Sequence, residues 1–118
     1  MPETITVNKE LGIIEILSYG DVTYEDTMAS VATLKRLKDE TGITQVLSDA
    51  RKQKNVPDTT DIFEFASSLP RDMKIAIIVS ADQPTVEDVS FVDAVASNRG
   101  AVIKLVTSRQ QGLDWLKS

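Results

Sequence analysis

Apolar and polar residues along this chain switch between two periods, and the switches mark its elements. Residues 4–8 (TITVN) alternate, with Ile5 and Val7 on one side, as a half-buried strand does. A short connection, Lys9-Glu10-Leu11-Gly12, ends in glycine and leads to 13–17 (IIEIL), a second strand interrupted by Glu15. The two are expected to pair as an antiparallel hairpin. Tyr19-Gly20-Asp21 breaks the run. The period then becomes helical: Tyr24, Met28, Val31 and Leu34 recur at spacings of three and four, share a face with Ala32, and predict a helix to about Glu40. Thr23 stands three residues before Asp26, a capping box with Asp in place of Glu. Lys35, Arg36, Lys38 and Asp39 point away from the apolar face. The late basic residues suit the negative end of the helix, and Gly42 supplies its stop.

Residues 45–48 (QVLS), flanked by Ile43, read as a third strand, and a polar loop is expected over 49–57. Ile62, Phe65, Ala66 and Leu69 then lie on one helical face, capped by Asp58 or Thr60 and ended by Pro70. The run 74–80 (KIAIIVS) carries consecutive apolar residues from Ile75 to Val79, which predicts a central strand covered on both faces or at least well paired. Thr85 with Asp88 opens a helix bearing Val89, Phe91, Val92, Val95 and Ala96, and Gly100 closes it. Residues 101–107 (AVIKLVT) give a fifth strand. Ser108 with Gln111 is a third capping box, opening a last helix through Leu113, Trp115 and Leu116. The order β-β-α-β-α-β-α-β-α predicts an α/β fold: one domain over residues 1–118, with a mixed, mostly parallel five-stranded sheet and four helices.

Composition narrows the chemistry. The chain has no cysteine and no histidine, so a thiol nucleophile, a disulfide, a Ser–His–Asp triad, an ordinary zinc site and a histidine phosphocarrier are all excluded. Asp, Glu, Lys, Tyr, Ser and Thr remain for acid–base or nucleophilic work, and no pair among them stands in a recognisable reaction geometry. No catalytic residue is assigned and an enzyme is not expected. The net charge of −5 comes without a basic stripe, so nucleic acid is not an expected partner. No apolar run approaches the roughly 20 residues of a membrane span, and no secretory signal pattern opens the chain, so the expected location is the cytoplasm. Glycines are scattered singly, which leaves out a glycine-rich phosphate loop. Asp49 and Asp21 are carboxylates of the kind a hard cation takes, but no third ligand stands at a telling spacing, so neither a metal nor another cofactor is assigned.

The stretch that carries a compact cluster of hydroxyls and charges is 44–69. Within it Asp49 ends an expected strand, where ligands bind in open α/β sheets. Arg51, Lys52 and Lys54 form a small basic cluster in an acidic chain, either a solvated loop or a docking surface for an anionic ligand or acidic helix. Asp58-Thr59-Thr60-Asp61 opens the expected second helix. These residues serve as N-caps, worth about 1 kcal/mol, or place a phosphate at a helix N-terminus. Phe63 lies about 100° off the Ile62–Phe65–Leu69 face by the helical period, free to line an apolar pocket or to pack in the core or at a dimer seam.

The layout and three short segments give the chain a resemblance. An opening hairpin followed by β-α units, in this length, resembles the STAS domain of anti-sigma factor antagonists. It also resembles the related SpoIIAA-like proteins, whose fold overlaps that of CRAL-TRIO lipid-transfer domains. Asp21-Val22-Thr23, running on to Asp26, resembles the lead into the first helix of these proteins. Leu47-Ser48-Asp49 resembles their strand ending in Asp, and Gly112-Leu113-Asp114-Trp115-Leu116 resembles the A-l-x-W-L ending of the SpoIIAA-like group. The antagonists carry Asp-Ser-Ser-Gly at the start of the second helix, and the first Ser accepts a phosphoryl group from a partner kinase. The resemblance places Asp58-Thr59-Thr60-Asp61 there, with Thr59 at the phosphoacceptor position and Thr60 beside it. This chain departs from the motif in having threonines for serines, Asp61 for glycine and Pro57 before the motif. A phosphoryl group would meet Asp58 and Asp61, with Arg51, Lys52 and Lys54 at hand to offset them.

The function so implied is a non-enzymatic regulatory protein–protein interaction module of bacterial type. It would offer the loop and helix start from Asp49 to Phe65 to a regulatory kinase or an anti-sigma-like protein. The alternative is a small carrier or sensor holding an apolar or amphipathic small molecule in a CRAL-TRIO-like pocket beside Phe63. A third reading is a fold kept for homodimerisation.

Overall fold

The structure is a computed structural model and describes residues 3–54, 67–69, 72–80 and 102–118. Five strands form one sheet in chain order: β1 (Glu3–Asn8), β2 (Ile13–Gly20), β3 (Gln45–Gln53), β4 (Lys74–Ile78) and β5 (Val102–Val106). β1 and β2 pair antiparallel from Glu3↔Ser18 to Asn8↔Ile13. β2, β3, β4 and β5 are mutually parallel. The sheet is therefore mixed and mostly parallel, as the element order predicts. Against four predicted helices, the described residues hold two: α1 (Tyr24–Thr41) and α2 (Arg109–Lys117). The predicted helix over 85–99 lies outside the described residues, and so does the one leading to Leu69, apart from its last three positions.

The two helices cover opposite faces of the sheet. α1 lays Val31 and Leu34 on Ile14, Ile16, Val46, Ile75, Ile103 and Leu105, and Leu69, Met73 and Val79 complete that core. α2 lays Leu116, flanked by Leu113 and Trp115, on Ile13, Leu47, Ala76, Ile78 and Val106. Consecutive strand residues point to opposite faces, so the apolar run of β4 feeds both cores. Ile75 goes to one side, and Ala76 and Ile78 go to the other. β3, not β4, is the middle strand. A run buried on both faces reports coverage, and coverage does not distinguish the centre of a sheet from the strand next to its edge.

Local signals account for the helix ends. Thr23 Oγ1 accepts the Asp26 N–H at 3.1 Å and Asp26 Oδ2 accepts the Thr23 N–H at 3.0 Å, a complete capping box. Gly42 closes α1 at φ +75°, its N–H donating to the Lys38 carbonyl at 2.8 Å. The buried face of α1 differs from the predicted one: Tyr24 is 58% exposed, Ala32 is also exposed, and Ser30 is buried instead. Ser30 Oγ donates to Glu3 Oε1 at 2.5 Å, and Ser18 Oγ donates to Glu3 Oε2 at 2.6 Å. One carboxylate from β1 thus satisfies two buried hydroxyls, from β2 and α1.

α2 begins with Ser108 Oγ accepting the Gln111 N–H at 3.2 Å. The reciprocal half of the predicted box is displaced by one residue: Gln111 Oε1 accepts the Thr107 N–H at 2.9 Å and the Thr107 hydroxyl at 2.9 Å. Gly112 lets the helix lie close, since a Cβ there would stand 2.7 Å from Leu47 Cδ1. The sheet also holds the C-terminal carbonyls of α2. Gln45 Nε2 donates to Leu116 O at 2.6 Å, and Lys74 Nζ donates to Trp115 O at 3.0 Å while lying 4.5 Å from the centre of the Trp115 ring. Trp115 is accounted for by packing on this face, as a core position would be.

Candidate interaction site

The site grows from the place where β3 outruns its neighbour. β4 pairs with β3 as far as Asp49↔Ile78. β3 continues to Gln53, and over that stretch it is paired to β2. The predicted loop starting at Asp49 is therefore strand for its first residues, and Asp49 stands inside β3 and not at its end. Among the described residues, Ala50 to Gln53 form a two-stranded extension with β2 beyond the last β3–β4 pair, and Ala50 is buried while Arg51 and Lys52 are exposed.

This extension contains a bulge. Leu17 pairs with Asp49 and Tyr19 with Lys52, so two steps along β2 match three along β3. A bulge leaves a backbone amide without its ladder partner. Here Asp49 Oδ1 takes the Arg51 N–H at 3.1 Å. The same carboxylate holds the Arg51 guanidinium by two contacts, Nε to Oδ1 at 3.0 Å and Nη2 to Oδ2 at 2.8 Å. The extension ends at Gly20, φ +68°, whose carbonyl accepts the Lys54 N–H at 2.7 Å.

A second ion pair lies on the same face, beside the start of α2. Arg109 Nη1 donates to Glu15 Oε1 at 2.5 Å, and Asn8 Nδ2 donates to Glu15 Oε2 at 2.8 Å. Arg109 also feels Asp49 and Arg51 through space. The hydrogen bond from Arg109 holds the Glu15 carboxyl below its usual range, and that from Arg51 does the same for Asp49. The carboxylates reciprocally push both guanidinium groups up. All four groups keep their charges at neutral pH.

Large hydrophobic side chains stand exposed next to these charges. Among the described residues they are Leu17 at 38%, Tyr19 at 41% and Tyr24 at 58%, all within one short stretch from the end of β2 to the first turn of α1. Arg51 and Lys52 are exposed on the paired strand. Of the residues singled out in sequence, Asp49, Arg51 and Lys52 come together here. Asp58, Thr59, Thr60, Asp61 and Phe63 lie outside the described residues. Glu15 and Arg109 carried no sequence signal, being 94 positions apart. Among the described residues, no three acidic side chains converge as a cation site, and no helix is long and apolar enough to cross a membrane.

A solved structure similar to this chain is that of an uncharacterized DUF3478-family protein from Shewanella loihica PV-4, described as having a SpoIIAA-like fold. The match has a TM-score of 0.61 at 17% sequence identity and covers 97% of this chain and 93% of that one. The fold is SpoIIAA-like. No protein-family model matches the chain, and no curated protein does. In this SpoIIAA-like fold the exposed aromatics and the Asp49–Arg51 pair occupy the C-terminal edge of the parallel strands, the edge where open α/β sheets bind their ligands.

Proposed function

We propose that this chain is a non-enzymatic, STAS-type regulatory module that binds a protein partner through the C-terminal edge of its sheet. The observation that carries the reading is the gathering of Leu17, Tyr19 and Tyr24 beside Arg51 and Lys52. Aromatic residues and arginine are enriched where proteins bind one another, and an exposed tyrosine brings apolar area at small entropic cost. Asp49 holds Arg51 in one geometry, so part of the surface is already ordered before a partner arrives.

The regulatory part of the proposal places a phosphorylation site at Thr59, with Thr60 beside it, six and seven residues beyond the end of β3 at Gln53. A kinase and an anti-sigma-like protein are the partner classes this implies. Arg51, Lys52 and Lys54 would then answer the added charge.

Affinity capture from an extract of its own host, with identification by quantitative mass spectrometry, tests the proposal. The wild-type chain is compared with Tyr19→Ser/Tyr24→Ser and with Thr59→Glu. The expected result is a partner retained by the wild type and lost with the double variant at unchanged melting temperature, with Thr59→Glu altering capture of that same partner. An identical set of proteins on all three chains would overturn the reading. So would an apolar small molecule that stays bound through native mass spectrometry, which would favour a carrier.

A further inference from the structure

β1 lies at one edge of the sheet, and among the described residues no strand pairs with its outer side. Proteins guard such edges with prolines, bulges or charges that block a further strand. From Thr4 to Asn8 this strand has no proline, glycine or charge, and its ladder with β2 runs without a shift. The Asn8 carbonyl turns to the β2 side, accepting the Gly12 N–H at 2.9 Å. Backbone groups of alternate residues point to opposite sides of a strand. Those of Ile5 and Val7 therefore point outward, the direction in which a further strand would pair.

The segment is matched about its own centre. Around Thr6, residues 3–9 run Glu, Thr, Ile, Thr, Val, Asn, Lys. Ile5 and Val7 flank the centre. Both are half-buried on the α1 side of the sheet, and Ile5 packs against the core there. Thr4 and Asn8, the next pair out, are polar and share the other face with Thr6. The outermost pair, Glu3 and Lys9, is of opposite charge. Two more charges are near. Glu10 follows Lys9, and Glu15 is already held by Arg109 and Asn8.

We propose that β1 pairs antiparallel with β1 of a second copy of this chain, about a two-fold axis at Thr6. A two-fold contact sets a segment against its own reverse, and this segment complements its own reverse. Ile5 of one copy meets Val7 of the other, exchanging backbone hydrogen bonds and covering apolar area that is half-open in the single chain. Thr6 meets Thr6, and Thr4 meets Asn8. Glu3 meets Lys9, which then stands between that carboxylate and Glu10 of its own chain. An axis normal to the sheet keeps α1-side residues opposite one another, so it must pass through a residue. Centred on Ile5 it would set Glu3 against Val7, and centred on Val7 it would set Lys9 against Ile5. Thr6 alone matches charge with charge and apolar with apolar. This reversal symmetry is what selects a second copy over an unrelated strand. The contact uses neither Tyr19, Tyr24 nor Arg51, so it stands apart from the regulatory reading, and its test needs only the purified chain.

Sedimentation velocity from about 5 to 500 µM, the span of a small interface, should show reversible conversion of monomer to dimer. Lys9→Glu, at an exposed turn position, sets acid against acid at both ends and should weaken association about tenfold. The absence of native cysteine permits a separate test of the register. Opposed Thr6 residues stand about 4.5 Å apart at Cα, within disulfide reach. The two Thr4 residues stand roughly 14 Å apart along the strands. Both positions are exposed on one face, so chance collision would oxidise cysteines there alike. Thr6→Cys should form a disulfide-linked dimer under mild oxidation, and Thr4→Cys should not. A monomer at every concentration, a dimer unaffected by Lys9→Glu, or linkage through position 4 as readily as through position 6 would overturn the proposal.

Discussion

Glu15 on β2 and Arg109 on α2 are 94 residues apart in the chain and 2.5 Å apart in space. Their contact fastens the start of α2 across the sheet, as Gln45 and Lys74 fasten its end. The Glu15 carboxyl is held below its ordinary value of 4.5, chiefly by the hydrogen bond from Arg109. A carboxylate whose folded value is depressed stabilises the fold fully above the ordinary value, and the contribution is lost as pH falls through the folded one. Melting temperature should therefore hold steady from neutrality to about pH 5 and drop below about 4.5. Glu15→Gln should flatten that drop. Both partners are solvent-accessible, so the expected loss is only about 0.2–1 kcal/mol, read from thermal melts across pH.

Gly112→Ala sets two effects against each other. Alanine improves helix propensity by about 1 kcal/mol. Its Cβ would meet Leu47 Cδ1 at 2.7 Å and Ala76 Cβ at 3.4 Å, and both residues are fully buried. Overpacking of that kind costs about 1–3 kcal/mol, so a net destabilisation of about 1 kcal/mol is expected in urea unfolding. Leu47→Val removes the clashing atom. The double variant should therefore be more stable than the sum of the singles allows.

Glu3 should matter more than its place on an edge strand implies. Its carboxylate is the acceptor for Ser18 and Ser30, which are 2% and 6% exposed. Glu3→Ala leaves two buried hydroxyls without that acceptor and should cost about 2 kcal/mol. The cost should shrink when Ser18 and Ser30 are also alanine. Equal losses in both backgrounds would show that the hydroxyls find other partners.

Amide exchange should follow position in the sheet. Val46 to Ser48 lie in the middle strand, with a neighbour on each side. Their amides should exchange more slowly than those of Thr4 and Thr6 on β1. The reverse order, measured by NMR at neutral pH, would contradict the strand arrangement.

What the sequence made legible was local. Thr23, Asp26 and Gly42 act within one turn of themselves, so the bounds of α1 could be read from neighbouring letters. The alternation of Ile5 and Val7 and the run from Ile75 to Val79 announced strands, because burial on a sheet face imposes a period. Features set by distant neighbours were hidden. The extension of β3 through Lys52 exists because β2 is there to pair with it, and nothing in the residues Ala50 to Gln53 encodes that partner. Tyr24 keeps the spacing of the apolar face, yet it is exposed in the first turn of α1. The Glu15–Arg109 pair belongs to the tertiary structure alone. At the site, Asp49, Arg51 and Lys52 were legible as a charged group, but the bulge that joins Asp49 to Arg51 was not.

The spatial order of the strands repeats their order in the chain, and this bears on how the molecule is made. During synthesis each new strand finds its sheet neighbour already translated, so the ladder can lengthen from one side as the polypeptide leaves the ribosome. The α1 face can close early by the same route. The other face cannot, because α2 follows every strand. Among the described residues, Leu47, Ala76, Ile78 and Val106 therefore gain their α2 cover only after the whole of α2 has emerged.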